Sequence, residues 1–220
     1  MNFQNQSVAQ EGSVQAVNNM GHPSVENFSV TTLEIGGLGA ALKALRLPFG
    51  KDVRSKLGGN IGKVEDITLR SDEVDYPTYF SSVNIFVHPK DLSLLSTLVK
   101  RGDEHAKVLR GVCVWCEINA PRYWHVELDT YRVGAERLSS NSTMHQQGQG
   151  LGEDALVTMK EHLEEGTMQK RVWMFSYQTL RRIYIQRHNH RLPQWRIFCD
   201  WIKKLPFAED LILVGLGEQQ

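Results

Sequence analysis

Pro193 is the residue that most limits how this chain folds, because it interrupts a long stretch with helical periodicity. Proline lacks a backbone donor and its ring clashes with the preceding turn, so a helix breaks or kinks there. We therefore predict a helical region from about residue 172 to residue 204 that is broken near Pro193. Beyond the break, apolar residues at helical spacing predict a core-facing stripe. They are Trp195, Phe198, Cys199, Ile202 and Leu205.

The same stretch concentrates positive charge. The segment LRRIYIQRHNHRLPQWRIFCDWI, residues 180–202, contains five arginines, and no Asp or Glu occurs between Gly166 and Cys199. Lys+Arg and Asp+Glu each total 25 in the 220-residue chain, so the excess is local. A local excess in a neutral protein favours a small anionic ligand over general affinity for nucleic acid. Arg187 and Arg191 are four residues apart, so on one helix they would share a face and form an anion clamp.

Two other interpretations of these cations stay open at this point. One is a solvated basic face without a ligand. The other is a nucleic-acid-binding module, which predicts binding that weakens steeply with salt.

The rest of the chain predicts one domain after an N-terminal tail. Residues 1–28 contain no Lys or Arg, are rich in Gln, Asn and Ser, and lack apolar periodicity. We therefore predict a flexible tail, or an arm that orders against a partner. Residues 29–220 are long enough for a single domain with its own core.

Periodicity within that domain predicts a mixture of strands and helices. The residue pattern alternates as in a strand in FSVTTLEI and VCVWCEI. Apolar residues have helical spacing in AALKALRLPF, DLSLLSTLVKRGDEH and ALVTMKEHLEE. RYWHVELDTYRVGAERLSS begins as a helix and becomes irregular near Gly134. GKDVRSKLGGNIGKVED and NSTMHQQGQGLGED are predicted loops, and TYFSSVNIFVHP is predicted to contain a short strand.

The cysteines and histidines predict no metal site. Cys113 and Cys116 form a C-x-x-C in a predicted strand, where residues i and i+3 face opposite sides, so core packing is expected. The HNH at 188–190 lacks the further ligands that a metal site needs. We expect the tryptophans in the core and His125 and Glu127 on the surface. With three cysteines, no signal peptide and no apolar run of about 18 residues, the sequence predicts a cytoplasmic protein without a membrane span.

The C-terminal motif carries a family resemblance. Arg187 followed by HNHRL and PQWRI resembles the C-terminal element of the flavin-dependent thymidylate synthases, an arginine, a short polar stretch and then Ala-Gln-Trp-Glu-Ile. Upstream, the predicted helix in DLSLLSTLVKRGDEH, the predicted strand VCVWCEI and the segment TYRVGAERLSSNS occur in the same order as in the family. The segment DTYRVG…SSNSTMH is similar to a divergent, phage-associated branch of it. The resemblance covers residues 28–212. It implies an α/β (α+β) fold with a central, mainly antiparallel sheet flanked by helices.

The resemblance also implies a site. Arg187 would be the catalytic contact to the pyrimidine, and the other substrate contacts would be Arg132, Ser139, Ser140, Asn141 and Arg191. The flavin contacts would be Arg137, His190 and Gln194. The family's signature, Arg-His-Arg-x-x-Ser-x-Asn-x-x-Ser-x-Arg, is altered here, since Thr130 and Tyr131 stand for its leading Arg-His and Ser142 for its closing arginine.

The activity that the resemblance implies is reductive methylation of dUMP to dTMP, or a related C5 modification of a pyrimidine nucleotide. It would use FAD, NADPH and methylene-tetrahydrofolate in a homotetramer, with neither a membrane nor a nucleic acid as partner. The altered signature leaves a second hypothesis, a protein that has kept the fold and nucleotide binding but not catalysis.

Overall fold

The computed structural model describes residues 22–52, 54, 56–57 and 85–216. Within them, four strands form the larger sheet, namely β1 (Ser29–Gly36), β4 (Cys113–Pro121), β5 (Ala135–Ser140) and β6 (Met168–Ser176). Their order in the sheet is β1–β4–β6–β5, and each neighbouring pair is antiparallel. A separate ribbon pairs β2 (Lys56–Leu57) with β3 (Ile85–Phe86).

Helices flank the sheet. Among the described residues, three precede β4 and one follows it directly; they are α1 (Pro23–Glu26), α2 (Leu38–Arg46), α3 (Pro89–Lys100) and α4 (Arg122–Leu128). Two lie between β5 and β6, namely α5 (Thr143–Gln147) and α6 (Glu153–Glu161). Three follow β6, namely α7 (Tyr177–Arg187), α8 (Pro193–Lys203) and α9 (Ala208–Leu211). No helix in the described ranges is long and apolar enough to cross a membrane.

One face of β4 forms the centre of the core. Val114, Cys116 and Ile118 are fully buried, whereas the residues between them are half-buried on the opposite face. Cys113 is one of the half-buried residues, so the two cysteines of the C-x-x-C face opposite sides as predicted. Burial raises the pKa of both thiols, which fits packing rather than thiolate chemistry.

The GGLG turn requires glycine. Gly37 has a φ of 84°, and a Cβ there would lie 1.7 Å from the carbonyl oxygen of Gly111. Only glycine fits both the left-handed conformation and this close approach. The segment is a tight turn between β1 and α2.

The prediction of one long helical region from residue 172 is wrong in its first part. Met168–Ser176 is the strand β6, paired with β4 on one side and β5 on the other. α7 begins only after Ser176, whose hydroxyl accepts a hydrogen bond from the amide of Thr179 and caps the helix. Pairing on both edges fixes the extended conformation, and tertiary context of this kind overrides local helical spacing.

The predicted break near Pro193 is confirmed. α7 ends at Arg187, and α8 begins at Pro193 itself. A proline is favourable at the first position of a helix, because its missing N–H has no intrahelical partner there. The predicted stripe on α8 is also confirmed: Trp195, Phe198, Cys199 and Ile202 are at most 1% exposed.

Three further segments differ from the predictions. Residues 135–140 form β5 where irregular chain was expected, and the predicted loop at 141–154 contains α5 and the start of α6. Residues 22–28, assigned to the tail, contain α1 and pack on the domain, since Phe28 is 6% exposed and meets Trp124 edge-on at 5.0 Å between ring centroids. Residues 1–21, most of the glycine-rich loop and the first part of TYFSSVNIFVHP lie outside the described residues.

Candidate functional site

The first candidate site, cavity A, lies where α7 faces the chain after α4. Its volume is about 290 Å³. Three guanidinium groups, those of Arg132, Arg182 and Arg187, contribute to its wall. The remaining lining residues are Thr130, Tyr131, Val133, Thr179 and Gln186. The predicted catalytic residue Arg187 and the predicted substrate contact Arg132 therefore share one cavity within a single chain.

Arg187 is held in a fixed orientation. Its Nε donates to the hydroxyl of Tyr131 at 2.9 Å, and its Nη1 donates to Glu127 Oε2 at 3.3 Å. The guanidinium lies over the ring of Trp195, with Cζ 4.8 Å from the ring centroid. A stacked, hydrogen-bonded arginine loses little further freedom when it binds a ligand. Nη2 makes no hydrogen bond within the part of the chain that the structure describes.

Glu127 is the residue that the sequence interpretation missed. It was expected on the surface, but its Oε2 accepts hydrogen bonds from both Arg187 and the buried indole of Trp195, the latter at 2.8 Å. Its position in the last turn of a short helix gives no local signal for a partner 60 residues away.

Three arginines between residues 171 and 187 have acidic partners from elsewhere in the chain. Arg171 pairs with Asp129 at 3.0 Å, Arg182 with Asp103 at 2.9 Å and Arg187 with Glu127 at 3.3 Å. The lack of nearby acids in the sequence therefore does not mean uncompensated charge. Each of these acids precedes β6 in the chain.

A second candidate site, cavity B, lies between β5, β6 and the ends of α4 and α6. Its volume is about 570 Å³, and it shares no lining residue with cavity A. Four of its residues are cationic, and it also presents three hydroxyl side chains. The cations are Arg122, Arg137, Lys160 and Arg171; the other lining residues are Leu138, Ser139, Ser140, Thr143, Leu163 and Gln169.

Asp129 lies between the two cavities. Its carboxylate oxygen Oδ2 is 3.0 Å from Arg171 Nη1 and 3.5 Å from Arg137 Nη1, on the side of cavity B. Its backbone oxygen accepts a hydrogen bond of 3.4 Å from Arg132 Nε, on the side of cavity A. One residue therefore positions arginines in both cavities.

The predicted substrate contacts divide between these places. Ser139 and Ser140 line cavity B, not cavity A with Arg132. Asn141 follows them, and its amide side chain is engaged, because Oδ1 accepts from the backbone of Lys170 and Nδ2 donates to Gln146. Arg191 is exposed and lines neither cavity. It shares no helix face with Arg187, because α7 ends at residue 187.

The three predicted flavin contacts do not meet within one chain. Arg137 lines cavity B, and His190 lies 2.9 Å from Arg187 Nη1 through its Nε2. Gln194 is 1% exposed, and its Nε2 donates to the hydroxyl of Tyr123 at 2.7 Å. Its Oε1 has no hydrogen-bond partner among the described residues. The flavin assignments therefore stay predictions.

His125 was also expected on the surface, but it is fully buried beneath cavity B. Its Nε2 lies 2.9 Å from the carbonyl oxygen of Gln169, so Nε2 carries the proton. Burial lowers its pKa to about 4, and nearby Arg171 and Arg137 act in the same direction. The ring is neutral at physiological pH. Across the described ranges, no group of three or more His, Cys, Asp or Glu side chains could hold a metal ion.

Comparison with known proteins identifies the fold. No protein-family model matches the sequence, and no curated protein is similar to it in sequence. The structure is similar to flavin-dependent thymidylate synthase ThyX from Helicobacter pylori complexed with FAD and dUMP, with a TM-score of 0.54 and 13% identity over 84% of this chain and 97% of that one. A second structure of Helicobacter pylori ThyX with FAD and dUMP gives a TM-score of 0.56 and 14% identity over 87% and 100%.

This chain has the ThyX fold. The predicted architecture, a central antiparallel sheet flanked by helices, is thereby confirmed. At these levels of identity the likeness extends to the fold and not to individual residues of the site.

Proposed function

We propose that this chain binds a pyrimidine nucleotide in cavity A and acts as a flavin-dependent thymidylate synthase or as an enzyme of related C5 chemistry. In the first case it would convert dUMP to dTMP with methylene-tetrahydrofolate and NADPH. The observation that carries this proposal is the Arg187 group: a half-buried guanidinium, fixed by Tyr131, Glu127 and Trp195, in the wall of a cavity that also contains Arg132. The ThyX fold supports the same reaction class.

The chemistry of C5 modification suits such an arginine. Attack from C5 on a one-carbon donor requires electron density on C5. The ring gains this density in an enolate form, in which negative charge is shared between C5 and a carbonyl oxygen. A preorganised guanidinium stabilises this charge more in a sheltered cavity than in water. Arg132 and Arg182 provide the donors that a phosphate needs, and the planar guanidinium matches phosphate geometry.

The flavin, when bound, would supply the reducing electrons. The residues assigned to it lie on separate surfaces of one chain. The expected homotetramer, in which neighbouring copies complete each other's sites, would bring such surfaces together. The tetramer, the cytoplasmic location and a phage-type origin are part of the proposal.

A specific observation favours a second candidate, a nucleotide-binding protein of this fold without catalysis. Glu127 already occupies Arg187 Nη1 and neutralises its charge. A paired guanidinium stabilises a developing negative charge less than an unpaired one, because the carboxylate competes for it. The altered signature at Thr130, Tyr131 and Ser142 points the same way.

One experiment separates the two candidates. Flavin binding is measured from the absorbance spectrum of the purified chain, with and without added FAD. Catalysis is measured as the release of tritium from C5-labelled dUMP in the presence of methylene-tetrahydrofolate and NADPH. The synthase predicts a flavin spectrum and tritium release, and Arg187→Lys abolishes the release. Binding of dUMP without flavin uptake or release would establish the second candidate. Absence of dUMP binding would reject both.

A further inference from the structure

The hydroxyl group of Tyr131 joins two other residues in the wall of cavity A. Its oxygen accepts a hydrogen bond from Arg187 Nε at 2.9 Å and lies 2.8 Å from Gln186 Oε1. Tyr131, Gln186 and Arg187 all line the cavity. Because both side chains are bonded to one phenol oxygen, the amide of Gln186 lies at the same end of cavity A as the guanidinium of Arg187.

The direction of these two hydrogen bonds follows from the chemistry of arginine. A guanidinium is always protonated and can only donate, so the phenol oxygen of Tyr131 accepts from Arg187. The phenol proton is then donated to Gln186 Oε1. With the amide turned round, two donors would meet at one oxygen, and the phenol proton would have no acceptor among the described residues. Tyr131 therefore holds the amide of Gln186 with its oxygen towards the phenol.

The amide nitrogen of Gln186 remains available to a ligand. The residue is exposed, and its Nε2 makes no hydrogen bond within the part of the chain that the structure describes. Thr130 and Thr179 also line the cavity, but their hydroxyl protons are donated to main-chain carbonyl oxygens. The acceptors are Glu127 and Val133, each at 2.7 Å. Among the described side chains that line cavity A, Gln186 is therefore the one with an uncharged donor free for a ligand.

A neutral donor suits the base of a nucleotide better than its phosphate. Guanidinium groups form the stronger, charge-assisted hydrogen bonds to phosphate, and the wall contains those of Arg132 and Arg182 for this purpose. An amide N–H matches a ring carbonyl oxygen instead. Pyrimidine bases differ in this respect, because C4 carries a carbonyl oxygen in uracil and an amino group in cytosine. The amide N–H of Gln186 would meet an acceptor at C4 of uracil and another donor at C4 of cytosine.

We propose that Gln186 is a specificity-determining residue that selects a base with a carbonyl oxygen at C4, and that Tyr131 is the positioning residue that gives the amide this selectivity. The inference rests on the proposed function, because it takes the nucleotide to lie in cavity A. An amide held by Tyr131 does not turn its oxygen to the cavity, so it offers no acceptor to the amino group of cytosine. Rejection of cytosine thus depends on a phenol proton outside the base contact itself.

The test measures the Kd values of dUMP and dCMP by titration calorimetry on the full chain. The readout is the ratio of the Kd of dCMP to the Kd of dUMP, because a change that merely disturbs the cavity weakens both nucleotides alike. The wild-type ratio is expected to be about ten, which corresponds to about one hydrogen bond made to uracil and lost with cytosine.

Three variants separate the donor from its orientation. Gln186→Leu removes the donor and is expected to bring the two Kd values to within about twofold of each other. Gln186→Glu replaces the donor with an acceptor and is expected to reverse the preference, so that dCMP binds more tightly. Tyr131→Phe keeps the amide but frees it to turn round, so the ratio is expected to fall at least about threefold. Gln147→Glu makes the same change at an exposed glutamine outside both cavities and keeps the wild-type ratio.

A wild-type ratio near one would overturn the inference, as would a wild-type ratio that persists in Gln186→Leu or in Tyr131→Phe. The proposed function would survive each of these results, because dUMP would still bind and tritium release from it would still report catalysis. Absence of binding by both nucleotides would reject the inference together with the nucleotide site. If Tyr131→Phe fails to fold in a thermal unfolding test, the two Gln186 variants decide, because their side chain is exposed.

Discussion

Glu127 and Arg187 are 60 residues apart in sequence and are joined by a hydrogen bond of 3.3 Å between Oε2 and Nη1. The same carboxylate oxygen accepts from the indole of Trp195 at 2.8 Å. One oxygen atom thus links α4 to the end of α7 and to the first turn of α8. The wall of cavity A is held by a contact between three elements and not by the short segment that joins the two helices.

Removal of this carboxylate is expected to destabilise the fold. Glu127→Ala leaves the buried indole N–H of Trp195 without an acceptor, which costs about 1–3 kcal/mol in the free energy of unfolding. Glu127→Gln keeps an oxygen for that bond and loses less. Urea unfolding of the two variants measures the difference. Glu136→Ala, at an exposed position of β5, serves as the control and changes stability by about 0.5 kcal/mol or less. Equal losses for Ala and Gln at residue 127 would contradict the role of the Trp195 contact.

Arg187→Lys is expected to weaken nucleotide binding while the fold persists. Lysine keeps the positive charge but loses the planar group that donates to Tyr131 and stacks on Trp195. We expect the Kd for dUMP to rise about 10- to 100-fold, as calorimetry would show. Arg101→Lys is the matched control outside both cavities. An unchanged Kd in Arg187→Lys would place the nucleotide elsewhere.

His125 is expected to make stability depend on pH. Its pKa is about 4 in the fold against about 6.5 for a solvent-exposed histidine, because burial disfavours the charged ring. Between these two values the unfolded chain binds more protons, so the free energy of unfolding falls as the pH drops from 6.5 towards 4. The contribution of the neutral ring to the free energy of unfolding is complete above pH 6.5. Below that pH, this contribution falls by at most about 1.4 kcal/mol per pH unit.

The measurement compares unfolding at pH 7 and pH 4.5 in the wild type and in His125→Gln. Glutamine can still donate to the carbonyl oxygen of Gln169 but does not titrate. The variant is expected to lose less stability than the wild type between these two pH values. An identical loss in both proteins would show that other groups, such as the carboxylates, account for the whole effect.

Gly134→Ala is expected to be strongly destabilising. Gly134 has a φ of 74°, and a Cβ there would lie 2.6 Å from the hydroxyl oxygens of both Ser176 and Thr179. Left-handed strain alone costs of order 1 kcal/mol, and the overlap adds to it, so we expect a loss of about 2 kcal/mol or more. Gly166→Ala is the control, because an added Cβ there meets nothing within 4 Å. Thermal unfolding of both variants checks the prediction.

The parts of the fold that were predicted correctly follow from local chemistry. Pro193 cannot lie in the interior of a helix, because its missing donor and its ring disrupt the preceding turn, so it stands at the start of α8. The stripe from Trp195 to Ile202 is a property of one helix, and the alternation in Cys113–Pro121 is a property of one strand. In each case the sequence within about ten residues contains the whole reason.

The parts that were missed depend on distant residues. β6 runs into α7 without a glycine or a proline between them, and Ser176 is the only local sign of the boundary. β5 is a strand because it pairs with β6, although its side chains are mostly exposed. The Glu127–Arg187 contact has no local pattern at all. Long-range pairing of this kind cannot be read from the spacing of one segment.

The position of Asp129 makes both cavities depend on one residue. Its side chain holds Arg137 and Arg171 of cavity B, and its main chain holds Arg132 of cavity A. A change at this one position therefore reaches arginines in both walls, although the two cavities share no lining residue.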